Sequence, residues 1–215
     1  MGLADPINKT VRRVPVWSVY LMGAVPMGWL FYQGATGGLG PEPIKALEHR
    51  YGLIALQLLV AGLCITPLIR FVRINLMRFR RAIGVLAFSY VAAHLLVWLV
   101  LDLRSIALIW SDIVKRPYIT IGMVGFLCLL PLAMTSNNWS VRRLGPLWRK
   151  LHKLTYLAVL LGAVHFVMLV KGWQWEPLLY LGAIVCLLAL RIPAIQGPLL
   201  QVRGGAMKSA HPREG

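Results

Sequence analysis

Residues 148–173 read WRKLHKLTYLAVLLGAVHFVMLVKGW. The run has the length of a bilayer crossing and begins behind basic residues. It carries His152 near its basic end and His165 well inside. Imidazole has no general reason to sit in hydrocarbon, so an intramembrane histidine points to function by default. A second embedded histidine, His94, lies in AFSYVAAHLLVW at 87–98.

The rest of the chain places this run in a family of similar ones. Of 215 residues, 58% are hydrophobic and only 14% charged. A soluble protein of this size cannot bury so many long apolar runs. The chain therefore reads as an all-α, polytopic integral membrane protein. Six spans of about 20 residues are expected, at Val14–Gln33, Tyr51–Ile69, Ala82–Leu101, Tyr118–Met134, Leu151–Lys171 and Pro177–Ile192. Together they form one six-helix domain over residues 14–192, with tails at 1–13 and 193–215. The first run is too long for the apolar part of a signal peptide and lacks a clean small-x-small cleavage site, so it reads as a span. Pro26, Pro67 and Pro131 mark kinks or helix ends, and a kink at Pro26 offers one way to open room for a cofactor. The glycine-rich loop GATGGLGPEP at 34–43 reads as an ordered turn. The patch IALIW at 106–110 reads as a short interfacial helix or an extension of the third span.

Charge sets the orientation. With the N-terminus inside, the inner segments hold 17 of the 23 lysines and arginines and the outer segments 6. Every loop then obeys the positive-inside rule, which predicts cytoplasmic N- and C-termini. The net charge of +16 is spread between apolar runs rather than gathered into a basic domain, which argues against nucleic acid as partner. Cys64, Cys128 and Cys186 fall within apolar runs with no CxxC or CxxCH. That pattern argues against iron–sulfur clusters, structural zinc and covalent haem attachment.

Helical rise places the histidines in depth. His94 lies 13 residues beyond Arg81, and His165 lies 13 beyond His152, so each is about 20 Å from the inner face. If the third and fifth spans face each other, the two imidazoles approach one iron from opposite sides. Neutral imidazole suits iron, and two axial histidines tune a haem for electron transfer rather than for binding substrate. The competing reading makes each histidine an interhelical hydrogen-bond donor. His152 stands at the right height for a second, inner cofactor. Thirteen residues correspond to about 220° of helix rotation, so His152 and His165 cannot share one face of a straight helix. Either His152 precedes the regular helix, or the helix is distorted, with Gly162 as a candidate position, or the two serve different sites. Arg80 projects toward the same inner region as His152.

Several segments carry a resemblance. GGLGPEPIKALEHRYGLIAL at 37–56, TPLIR at 66–70, RRAIGVLAFSYVAAHL at 80–95, RPYITIG at 116–122, TSN at 135–137 and WRKLHKLTYLAVLLGAVH at 148–165 together resemble the MsrQ (YedZ) family. These proteins are haem-binding membrane subunits of periplasmic methionine sulfoxide reductase systems, within the ferric-reductase-like transmembrane superfamily. The resemblance implies a six-helix bundle of that type in the bacterial inner membrane. It implies that His94 and His165 clamp an outer haem b, and that His152 helps hold an inner haem. The superfamily's usual partner of His152 falls at Arg80 or Arg81, and neither is histidine here. The inner site is therefore expected to hold a second haem with another ligand, a flavin mononucleotide (FMN), or a quinone, with Arg80 and Arg81 meeting propionates or phosphate.

The partners implied are a membrane quinol or cytoplasmic flavin reductase as donor and a periplasmic molybdopterin methionine sulfoxide reductase as acceptor. Sulfoxide reduction would belong to that acceptor. The chain has no GxGxxG after a strand, so electrons are expected from another protein or from quinol. Two rival functions are a stand-alone haem-dependent reductase of ferric iron or oxygen, and a non-redox transporter. A transporter would more often show internal repeats.

Overall fold

The computed structural model describes residues 4–103, 106–170 and 172–192; the tail expected at 193–215, with His211, lies outside them. Ten α-helices account for most of these residues: α1 (Ala4–Arg13), α2 (Val16–Ala35), α3 (Pro43–Pro67), α4 (Arg80–Leu96), α5 (Ile106–Lys115), α6 (Pro117–Met134), α7 (Asn138–Leu144), α8 (Pro146–Leu151), α9 (Leu154–Leu169) and α10 (Trp175–Ala189). Two of them continue as π-helix, α3 through Leu68–Val72 and α4 through Val97–Leu103.

The chain is an all-α, multi-pass membrane protein. Among the described residues, four stretches are long and apolar enough to cross a bilayer: Pro43–Val72, Met77–Asp102, Pro117–Met134 and Pro146–Leu169. The pair α1 and α2, bent by 79° between them, gives a fifth. Helix α10, at 15 residues, is apolar but shorter. The second span starts well before the expected Tyr51. Pro43 is preorganised for the first turn, so the charged residues Lys45 to Arg50 join the helix. The fourth starts at Pro117 for the same reason.

Four helices make the centre. α3 packs along α4 and α6 along α9, and these two pairs close on each other through α3–α9 and α4–α6 contacts. Small residues let the backbones approach. Ala55, Ala82, Ala87, Ala158 and Ala163 are buried to within 2%, and Gly125 lies against Leu161. α10 covers the edge between α9 and α3, while α2 covers α3 and α4.

Pro26 sits inside α2 without opening the cofactor space considered above, since no residue of α2 lines the central cavity. Instead, two tyrosines bond the carbonyls on either side of it. Tyr90 donates to Gly23 O at 2.7 Å and Tyr51 to Met27 O at 2.8 Å. The rings meet edge-on at 5.8 Å. A buried hydroxyl left without these acceptors would be costly. Tyr51→Phe and Tyr90→Phe are each expected to destabilise the purified protein by about 1 kcal/mol, read as a lower Tm with the visible spectrum unchanged.

The turn after α2 is ordered, as its glycines predict. Gly37, at φ 80°, lets Gly38 N–H reach back to Gln33 O at 2.8 Å, a helix-ending pattern that L side chains adopt poorly. Residues 4–13, expected as a plain tail, form α1, which is docked on the segment between α3 and α4. Asn8 bonds Arg73 O and Asn75 N–H, and Arg78 donates to the Val11 and Arg12 carbonyls. Those carbonyls end α1 and lack helical partners. The IALIW patch belongs to a separate helix, α5, packed against α6.

Candidate functional site

His94 enters from α4 and His165 from α9, and their rings meet at the centre of the four-helix core. The ring centroids are 6.3 Å apart and the planes cross at 82°. Each ring is held from behind in the same way. His94 Nδ1 lies 2.9 Å from the backbone O of Glu48, and His165 Nδ1 lies 2.7 Å from that of Tyr118. A carbonyl only accepts, so each Nδ1 carries the proton and each Nε2 is left with a lone pair.

The helices that supply these carbonyls repeat one device. Four residues after Glu48 comes Gly52, and four after Tyr118 comes Gly122. In a helix the residue at i+4 stands over the carbonyl of residue i. A Cβ at Gly52 would lie 3.1 Å from His94 Nδ1, and one at Gly122 would lie 2.9 Å from His165 Nδ1. Glycine therefore clears the approach of each imidazole to the carbonyl. Neither glycine nor either carbonyl stands out as a site component in the sequence. The usable signal was a glycine inside an apolar helical run, where close approach is one of its few advantages.

A cavity of about 390 Å³ adjoins the two imidazoles, lined by α3, α4 with its π extension, α6 and α9. Leu53, Leu56, Leu59, Val91, Met123 and Leu129 make its walls apolar, while Lys45, Glu48, His49, Asp102 and Arg116 give it polar groups. Arg116, outside the spans, has its pKa raised above the ordinary guanidinium value, first by its contact with the Tyr118 hydroxyl and also by the charges of Asp112 and Asp102. His49 lines the same cavity, with its ring 5.8 Å from Phe166.

This donor set fits a haem. A metal–imidazole bond is about 2 Å, and the ring centre lies about 1.2 Å behind its nitrogen by covalent geometry. Two imidazoles on opposite sides of one metal thus have centroids about 6.4 Å apart, against the 6.3 Å found here. Among the described residues no group of three or more His, Cys, Asp or Glu side chains converges to hold a metal. A bare cation would want four or more ligands; a macrocycle brings its own equatorial donors and leaves only the two axial positions to the protein.

The third histidine is placed apart. His152 caps the end of α8, two residues before the start of α9 at Leu154. The chain breaks there, and α9 runs unbroken past Gly162. That break resolves the rotation problem: His152 precedes the regular helix. Its ring stacks on Trp148 at 3.8 Å, and its Nδ1 lies 3.0 Å from Trp148 O. Its Nε2 is buried, with no partner at hydrogen-bond distance and angle among the described residues, and the Leu132 backbone lies near enough to act on the ring. Arg80 lies close enough to act electrostatically on His152, and Arg81 donates to Asn138 Oδ1 at 2.6 Å.

Four aromatic side chains, Trp98, Tyr118, Phe126 and Phe166, line the central cavity. Tyr156 lies beneath the Arg191 guanidinium, with the charge 5.1 Å from its ring centre. Arg191 also donates to Leu63 O at 2.6 Å, tying the end of α10 to α3. Trp173 is 93% exposed.

Residues 27–163 match the family of ferric reductase like transmembrane components. A haem-binding subunit MsrQ of protein-methionine-sulfoxide reductase from Brucella anthropi is 46% identical over 207 residues, covering 93% of this chain and 94% of that protein. The corresponding subunit of Agrobacterium fabrum is 48% identical over 190 residues, 86% of this chain and 87% of that protein. That of Brucella ovis is 46% identical over 194 residues, 90% and 87% of the two. No solved structure matches the chain. With His94 inside the matched segment, His165 two residues beyond its end, and identity to the MsrQ subunits sustained along nearly the whole length, the chain belongs to the MsrQ family of ferric-reductase-like membrane proteins.

Proposed function

We propose that this chain is the haem b electron-transfer subunit of a methionine sulfoxide reductase system in the bacterial inner membrane. It would take electrons from membrane quinol or a cytoplasmic flavin reductase and pass them to a periplasmic molybdopterin methionine sulfoxide reductase. The observation that carries this reading is the pair His94 and His165, with ring centres 6.3 Å apart and both Nδ1 atoms already engaged. Bound between them, haem supplies reversible one-electron carriage. The two carbonyls fix the tautomer and ring direction of their histidines and strengthen each Nε2 as a donor. Apolar side chains make up most of the walls, and the glycines keep the rings against their carbonyls.

The full topology has six spans, with α2 as the first and α10 as the last, and both termini face the cytoplasm. Its support is the excess of arginine and lysine between α3 and α4 and along α7 and α8. On this orientation the histidine pair sits toward the periplasm and His152 toward the cytoplasm. His152, its ring stacked on Trp148, and Arg80 form an inner cofactor position for a second haem, FMN or a quinone. Arg81, spent on Asn138, contributes there through its charge alone.

The test is a reduced-minus-oxidised absorption spectrum of the purified chain, with cofactors extracted and quantified. A b-type spectrum at about one haem per chain is expected, and absence of haem would refute the proposal. His152→Ala is expected to leave the outer haem spectrum in place and to remove any second cofactor. Reduced protein should transfer electrons to the periplasmic reductase faster than to ferric chelates or oxygen. The reverse order would favour a stand-alone surface reductase.

A further inference from the structure

One arginine in the apolar region has only neutral partners among the described residues. Arg191 follows α10 by two residues, and α10 is 15 residues long, about 22 Å of helix against roughly 30 Å of hydrocarbon. Counted from the outer end of α10, the guanidinium falls short of the inner water interface. It is turned into the protein. Nη1 donates to Thr66 Oγ1 and to the Tyr156 hydroxyl, each at 3.3 Å, and Nη2 donates to Leu63 O at 2.6 Å. Nε is buried and has no hydrogen-bond partner among the described residues. No described carboxylate forms an ion pair with it.

Part of this arrangement is local repair. The residue four beyond Leu63 is Pro67, which has no N–H, so the Leu63 carbonyl is denied its usual helical donor. Arg191 supplies one instead. A neutral amide would do the same without the cost of holding a charge in hydrocarbon, and a costly intramembrane charge points to function.

The height of the charge gives it a use. Leu59 and Ala158 are the innermost residues of α3 and α9 that line the central cavity. Leu63 lies one turn inward of Leu59, and Tyr156 two residues inward of Ala158. Arg191 therefore stands just beneath the cavity floor, at a level between His165 and His152. Tyr156 precedes His165 by nine residues of α9, which puts the charge about 14 Å below the histidine pair. At an effective dielectric constant of about 20, unit charges that far apart still shift an equilibrium about five- to tenfold. Salt screens such a partly buried charge much less than a surface one.

We infer that Arg191 is an electrostatic tuning residue for the carrier held by His94 and His165, its unbalanced charge raising that carrier's reduction potential. This rests on the electron-transfer reading above and names a residue that sets the energy of its carrier. The step affected is the gain of one electron by the haem iron, ferric to ferrous, from the donor named there. Arg191 gives up no proton, and no bond to it is made or broken. It acts through its charge from beneath the cavity floor, without touching the carrier.

The test is a potentiometric titration of the purified full-length holoprotein in phospholipid nanodiscs, followed by its visible spectrum. Arg191→Gln removes the charge and keeps a donor for the Leu63 carbonyl. It should shift the reduction equilibrium about five- to tenfold toward ferric haem, a potential lower by about 40–60 mV, at wild-type haem content. Arg191→Lys keeps the charge and loses the fork of donors, so it should hold the wild-type potential even at a lowered Tm. Thr66→Glu leaves Arg191 in place and sets a carboxylate beside it. It should lower the potential as Arg191→Gln does, which decides the matter if Arg191→Gln folds poorly. A wild-type potential in Arg191→Gln or in Thr66→Glu would overturn the inference, leaving the haem reading standing. Equal falls in Arg191→Lys and Arg191→Gln would also overturn it, making the arginine a helix fastener only. Absence of haem from the wild type would instead overturn the reading beneath it.

Discussion

His94→Ala and His165→Ala are each expected to strip the chain of its outer haem. Removing the groups that merely support a metal-bound histidine typically costs about 10- to 100-fold in affinity, so removing the ligand itself should cost at least about 100-fold. Haem recovered per chain should fall below about a tenth of the wild-type value by absorbance. The fold should survive, because the four-helix core rests on buried alanines and leucines such as Ala158, Ala163, Leu56 and Leu63 rather than on the imidazoles. His165→Met offers a sharper comparison. A thioether can take an axial position and raises the reduction potential, so this variant should keep part of its haem at a higher potential. Full haem retention by both alanine variants would refute the pairing outright.

The next largest effect is expected from one methyl group. Gly122→Ala places a Cβ 2.9 Å from His165 Nδ1 and 3.0 Å from its Cε1. The ring has little freedom to retreat, being fastened to the Tyr118 carbonyl at 2.7 Å. Overpacking of this kind costs about 1–3 kcal/mol, which, falling on the haem-bound state, corresponds to a loss of about 5- to 150-fold in haem affinity. Gly52→Ala is milder, because its Cβ would meet His94 Nδ1 at 3.1 Å and Cε1 at 3.3 Å. In either variant a lengthened bond to the carbonyl makes the imidazole a weaker donor to ferric iron. The potential of whatever haem remains should therefore rise. Gly62→Ala serves as the control, since its Cβ would meet nothing closer than Ile83 Cγ2 at 3.8 Å. Equal haem content and potential in all three variants would dismiss the glycines as part of the site.

Different parts of the molecule were legible to different degrees. The core spans follow from apolar length, and the pairing of His94 with His165 follows from equal depth on facing helices. The 220° offset between His152 and His165 signalled a break without locating it. It falls at His152–Lys153, where Trp148 stacks on the imidazole, rather than at Gly162. The carbonyl partners were hidden for a physical reason. They belong to backbone 46 and 47 positions away from the histidines they hold, and every residue has a carbonyl. The bond from Arg81 to Asn138 was equally hidden, because it depends on where Asn138 stands as the chain leaves α6 and enters α7. The bonds from Arg191 to Leu63 and Thr66 link residues 128 and 125 apart and require knowing that α10 packs against α3.

The two carbonyls behind the histidines have a consequence for inheritance. A side-chain acceptor can be lost by a single base change in its codon, but the oxygens of residues 48 and 118 persist whatever amino acids those codons specify. Drift at Glu48 and Tyr118 can alter what faces the cavity without loosening either imidazole. The exposed points of the device lie elsewhere, at the two histidine codons and the two glycine codons. A lineage can thus retune the surroundings of its electron carrier freely while the grip on that carrier stays fixed by four positions.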